Sequence, residues 1–176
     1  MPPRYTLARR LAADLLKRGR VKRAPVPLEK LAVLLDAEIV LQPFVGEVSG
    51  IVHRNKDGSA VIGVNSSHNI QRQRFTIAHE IGHLLLHTDE NLHVDKNFPI
   101  GLRNELSGQA VNENEIEANQ FAAALLMPRD LIAKDVKPLI GEDVLFAIRK
   151  LSKKYKVSEQ AMSIRLSSLR YVELGT

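Results

Sequence analysis

The feature that most constrains this chain is the stretch from Gln71 to His87, a helical repeat that is apolar over most of its circumference. At about 100° per residue, Arg72, Thr76, His79, Glu80, His83 and His87 fall within a strip about 100° wide. The rest of the wheel holds Phe75, Ile77, Ala78, Ile81, Leu84, Leu85 and Leu86. A surface helix shows the reverse, a narrow apolar stripe and a broad polar face. This helix must therefore be covered on most sides, with its polar strip lining a cleft. Covering it takes other layers of structure, and 176 residues suffice for one such core.

Within the strip, His79-Glu80-Ile81-Gly82-His83 places two imidazoles four residues apart, on one helix face, where both can chelate a single ion. Zinc suits neutral imidazole, and a catalytic zinc needs three protein ligands and one open position. Glu80 stands beside the pair, where it can take a proton from water. The chain has no cysteine, which excludes disulfides, thiolate zinc sites and cysteine nucleophiles. Any metal is held by His, Asp or Glu. The competing reading is a core helix whose histidines are satisfied by backbone carbonyls. Three histidines at four-residue spacing with an intervening Glu are hard to satisfy in that way.

A second helix, from Glu113 to about Met127, is stopped by Pro128 and offers several acids. Glu113, Glu117, Gln120 and Ala124 share a face that reads as solvated. Glu115, Asn119, Ala122 and Leu126 share the opposite, inward face. An inward carboxylate at Glu115 needs a partner, and zinc would be a sufficient one. Asn119, one turn on, is placed to accept the free N–H of a liganding imidazole. Against this stands a capping box, with Asn112 as N-cap and Glu115 at the third helical position.

Elsewhere, residues 6–18 form a helical pattern with Thr6 as N-cap, ended by Gly19 and the basic linker Arg20-Val21-Lys22-Arg23. A short helix from Leu28 to Leu35 and a strand from Glu38 to Gln42 follow. The apolar runs 50–54 and 60–65 flank Asn55-Lys56-Asp57-Gly58, which predicts a β-hairpin. Its run Ala60 to Asn65 is the expected sheet edge, to which a peptide substrate can add as a strand. Residues 88–111 read as polar and irregular. No run reaches the roughly 20 apolar residues that span a bilayer, and no leader-like segment opens the chain, so a cytoplasmic location is the default expectation.

Helical patterns at 129–136, 142–154 and 159–170 complete the chain. In the last two, Val144, Leu145, Ile148 and Leu151 make one apolar face. Ser158 caps the second helix, which turns Ala161, Met162, Leu166 and Leu169 inward. The pair is helix-turn-helix-like, and Ser163, Arg165, Ser167 and Arg170 can face a phosphate backbone. Lys and Arg number 25 against 20 acids, a net charge of +5. Arg149, Lys150, Lys153, Lys154 and Lys156 make the tail basic. A rival function follows, a DNA-binding regulator whose metal is structural or absent. A structural zinc is closed and four-coordinate, however, and has no use for a glutamate beside its first histidine. A third reading, an inert interaction module, conflicts with the intact set of His79, Glu80, His83 and Glu115.

The run from Arg74 to His87 resembles the active-site helix of the ImmA/IrrE family of metallopeptidases, and Glu115 to Pro128 is similar to that family's glutamate helix. The likeness extends through the hairpin and into the segment Val157 to Leu166. It implies an α+β, zincin-like minimal metallopeptidase fold of the gluzincin kind. Its parts are a small antiparallel sheet, the His-Glu-x-x-His helix, the glutamate helix and a C-terminal helix-turn-helix-like lobe. The peptidase domain then covers residues 1–136 and the lobe 137–176. Carried across by motif, the ligands of Zn2+ are His79, His83 and Glu115, and Glu80 is the catalytic acid/base. Members of the family typically cleave helix-turn-helix repressors, after stress signals or in mobile elements. The implied activity is a zinc metallo-endopeptidase with such a repressor as protein partner and a nucleic-acid contact through the basic tail. For the oxyanion donor, His87, His93 and Tyr155 remain open.

Overall fold

A computed structural model of the chain describes residues 2–89, 91–96 and 113–172. Helix α1 (Tyr5–Arg18) turns Ala8, Ala12 and Leu15 inward, at the spacing the sequence predicts. Thr6 lies inside it, and no side chain caps the helix. A tertiary contact takes the place of that cap, because the Arg4 backbone N–H donates to Glu117 Oε1 at 2.6 Å. The helix ends at Gly19, where a Cβ would run into the Leu31 side chain of α2 (Leu28–Val33).

Four strands form one sheet in the order β1-β3-β2-β4: β1 (Ala37–Gln42), β2 (Val48–Arg54), β3 (Ala60–Asn65) and β4 (Leu92–Lys96). The predicted hairpin is β2–β3, with Arg54 opposite Ala60. Asn55 donates its backbone N–H to Ser59 O at 2.8 Å, and Gly58 supplies the left-handed residue of the turn at φ 92°.

The sheet is mixed rather than wholly antiparallel, since β1 pairs with β3 in parallel. The cause lies in β3. Its residues Ala60-Val61-Ile62-Gly63-Val64 are apolar on both faces and almost all buried, so β3 takes a central place. β1, with Glu38, Leu41 and Gln42 exposed, takes an outer place, and residues 43–47 carry the chain past β3 to β2. The expected edge at Ala60–Asn65 is therefore an interior strand. The outer strands among the described residues are β1 and β4.

β4 falls within the stretch read as irregular. It alternates, with Leu92 and Val94 exposed and Asp95 buried, and it pairs antiparallel to β2 with His93 opposite Val52. Residues 97–111, and the proposed N-cap Asn112, lie outside the described residues.

Helix α3 (Ile70–Leu86) is capped by Asn69, whose Oδ1 accepts from Arg72 N at 2.9 Å. It is buried on nearly all sides, as its inverted wheel requires. It packs against β2 and against α4 (Glu113–Leu126). Gly82 permits the close approach of α4, since a Cβ there would sit 3.1 Å from Ala118 Cα.

Helices α5 (Arg129–Val136), α6 (Val144–Tyr155) and α7 (Glu159–Ser168) close the chain, with a short 3-10 turn at Lys137–Leu139. Asp143 and Ser158 cap α6 and α7, accepting from Phe146 N at 2.9 Å and Ala161 N at 3.1 Å. Ile148, Leu151, Tyr155, Met162 and Leu166 join one buried cluster with Ala8, Leu31 and Phe121. Of the apolar residues read as making α6 amphipathic, Val144 and Leu145 are exposed and Ile148 and Leu151 are buried. Arg165, expected to face phosphate, is buried and donates Nε–H to Met127 O at 3.0 Å. Among the described residues, no helix is long and apolar enough to cross a membrane.

Candidate metal centre

The polar strip of α3 faces the inward face of α4, and their side chains meet. His79 Nε2 and His83 Nε2 lie 3.0 Å apart. Glu115 closes the group, with Oε2 at 3.1 Å from His79 Nε2 and Oε1 at 3.3 Å from His83 Nε2. All three residues are buried.

The far nitrogens decide what these atoms can be. His79 Nδ1 is 3.0 Å from Asn119 Oδ1, an acceptor, so Nδ1 carries the proton and Nε2 presents a lone pair. His83 Nδ1 is 3.0 Å from His87 Nδ1, and His87 Nε2 is 3.2 Å from Glu117 Oε2. The Glu117 carboxylate accepts the His87 Nε2–H, which leaves His87 Nδ1 to accept from His83 Nδ1–H. His83 Nε2 then presents a lone pair as well.

Two lone pairs and a carboxylate thus converge with no donor among the three side chains, an arrangement that a cation satisfies. Their separations match the edge of a tetrahedron, about 3.3 Å, around an ion bonded at about 2.0–2.1 Å. Burial holds His83 neutral by lowering its pKa to about 4. Burial would raise the Glu115 pKa, and hydrogen bonds and charge from His79 and His83, where those rings carry a proton towards it, lower it. A cation in place of those protons acts in the same direction. The donor set therefore fits zinc.

Glu80 is fully buried beside this group, and neither carboxylate oxygen has a hydrogen-bond partner. It abuts Gly50 of β2, where a Cβ would come within 2.7 Å of Glu80 Oε1. Burial first, and then the carboxylates of Asp95 and Glu115, push its pKa well above the usual range. Burial likewise raises Asp95. Donor atoms of His79, Glu80 and Asp95 all lie within 4.8 Å of one another.

His93 reaches the centre from β4, with Nε2 at 3.3 Å from Glu115 Oε1. Its ring stacks on His83, centroids 3.5 Å apart and planes inclined by 16°. With those of His79, His83 and Glu115 its ligand atom lies within 4.8 Å of every other, so His93 flanks the group and could join it in holding an ion. Of the other open donors, His87 is turned to Glu117. Tyr155 is far along the chain and donates its O–H to Asp135 Oδ2 at 2.8 Å.

Sequence reasoning missed two contributors and named a third, His93, only among the open oxyanion donors. Asp95 was hidden by the unread strand, which also carries His93, although the alternation Leu92-His93-Val94-Asp95 signals it. Glu117 was assigned to a solvated face and is buried, because Arg4 pairs with it at 2.7 Å. No local pattern announces a contact 113 residues away.

A peptidase-family model described as the IrrE N-terminal-like domain matches residues 36–167. The radiation response metalloprotease IrrE of Deinococcus deserti is 45% identical over 73 residues, covering 41% of this chain and 24% of that protein. Its counterpart from Deinococcus radiodurans is 40% identical over 75 residues, covering 42% and 21%. The uncharacterized immunity region protein 2 of Bacillus phage phi105 is 28% identical over 124 residues, 70% of each chain. The match thus spans about a quarter or less of each Deinococcus protein, at 24% and 21%.

Proposed function

Because the chain belongs to the IrrE N-terminal-like family of peptidases, the ImmA/IrrE family, we propose that it is a zinc-dependent endopeptidase. His79, His83 and Glu115 would hold the metal, and Glu80 is the acid/base. The observation that carries this reading is the convergence of three side chains, whose four acceptor atoms make contacts of 3.0–3.3 Å in a buried site. Zinc there would lower the pKa of a water molecule and polarise the scissile carbonyl. Glu80 accepts the proton of the attacking water and returns it to the leaving amine. Asn119 and His87 hold the two imidazoles in the tautomers and orientations the site needs.

The test is metal content. About one zinc per chain is expected in the parent protein, lost in Glu115→Ala and in His83→Ala. A parent protein that takes up no zinc would overturn the reading.

The oxyanion donor in this reading is His93, the histidine flanking the centre. His93→Ala is expected to keep its zinc and to lose activity by about 10²–10³-fold. Loss of zinc together with activity would instead make His93 a ligand. The substrate peptide is proposed to add alongside β4, the outer strand that carries His93. As substrate we assign a cytoplasmic helix-turn-helix repressor. The resemblance of Arg74–His87 and Glu115–Pro128 to the family's two motif helices is what supports this assignment. The helices from residue 137 onward are proposed as a C-terminal lobe packed on the same core. Nucleic-acid contact through that lobe is the weaker reading: Arg165 is buried, Lys154 is paired with Asp135 at 2.6 Å, and Arg149 lies 3.7 Å from Glu159.

A further inference from the structure

The His87 side of the metal centre is anchored from outside the span that the family model matches. Arg4, at the start of α1, lies upstream of residue 36, where the family match begins. Its guanidinium grips Glu117 with both arms. Nε is 3.0 and 3.1 Å from the two carboxylate oxygens, and Nη2 is 2.7 Å from Oε2. The same Nη2 also donates to Leu86 O at 3.2 Å, one of the carbonyls left open where α3 ends. With the backbone N–H of Arg4 on Oε1 as well, Glu117 is held by several donors from one residue.

From there a single path leads to the proposed metal. Glu117 Oε2 accepts from His87 Nε2 at 3.2 Å, and His87 Nδ1 meets His83 Nδ1 at 3.0 Å. His87 and Glu117 are both buried, so water does not substitute readily for either partner. Resting on the zinc reading above, we propose that Arg4 is a positioning residue for the metal centre. It fixes Glu117, which orients His87, which in turn keeps the proton of His83 on Nδ1 and its lone pair aimed at the ion. Helix α1 is then part of the site's construction and not merely an added layer over the core.

A merely structural role for Arg4 would show in the melting of the metal-free protein. A positioning role shows in zinc affinity and in the protonation pattern of His83. The experiment measures the zinc dissociation constant of the full chain by competition with a chromophoric chelator, in the parent, Arg4→Ala and Glu117→Gln. It is read beside the histidine side-chain nitrogen spectrum of the zinc-loaded proteins. Both variants are expected to bind zinc about 10- to 100-fold more weakly, with the His83 Nδ1–H signal shifted or lost. Affinity within about twofold of the parent, with an unchanged His83 signal, would overturn the proposal. Should Arg4→Ala fail to fold, Glu117→Gln, which keeps the side-chain volume, decides by the same criterion. A parent protein that binds no zinc is a different result: it removes the metal centre itself, and this inference with it.

Discussion

Glu80→Gln is expected to leave zinc uptake unchanged and to reduce peptide-bond cleavage by about 10²–10⁴-fold. The substitution keeps the shape of the side chain in a site with no room to rearrange, since Glu80 is fully buried. It removes only the capacity to take a proton. Neither Glu80 oxygen is committed to a hydrogen bond, so the carboxylate is not a structural acceptor whose loss would loosen the core. Burial, Asp95 and Glu115 all press towards its protonated form. A divalent cation held by His79, His83 and Glu115 opposes that push and returns Glu80 towards the ionised form a base requires. The measurement is cleavage of a peptide library by mass spectrometry, run beside metal analysis of the same preparations. Cleavage within tenfold of the parent, with zinc in place, would remove Glu80 from the chemistry. Loss of zinc with activity would move Glu80 into the metal-holding group.

The parts of this molecule that could be read from the chain are those written in local periodicity. The wheel of α3 announces both its burial and its polar strip, because each face of a helix repeats within about four residues. Ser158 was legible as a cap for the same reason, as was the turn around Gly58. Glu115 was placed inward by the same rule. That rule misplaced Glu117, two residues on, because its face is dry only when Arg4 arrives from another helix. Strand order escaped as well. β3 is central because it is apolar on both faces, yet a short apolar run looks the same at an edge or in the middle. Arg165 carries the same lesson in reverse: a basic residue in a basic tail reads as solvated, and here it serves the Met127 carbonyl inside. What the chain conceals is the identity of distant partners.

Gly50 illustrates how such a distant partner sets the chemistry, and it carries the second large expectation. The strand β2 meets α3 at this residue, and a Cβ there would strike the Thr76 methyl and come within 2.7 Å of Glu80 Oε1. Thr76 and Glu80 are one helical turn apart, so the bare glycine is the floor on which this turn of α3 rests. Gly50→Ala is expected to cost about 1–3 kcal/mol of stability by overpacking. It should also reduce cleavage by about 10²-fold, because the carboxylate must move from its place. None of the nearest atoms belongs to His79, His83 or Glu115, so zinc uptake should persist. The two losses separate in the double variant Gly50→Ala, Thr76→Ser, which deletes the struck methyl and leaves the Glu80 contact. Melting temperature should then recover while cleavage does not. If cleavage returns together with the melting temperature, the glycine serves packing alone, and the position of Glu80 does not depend on it.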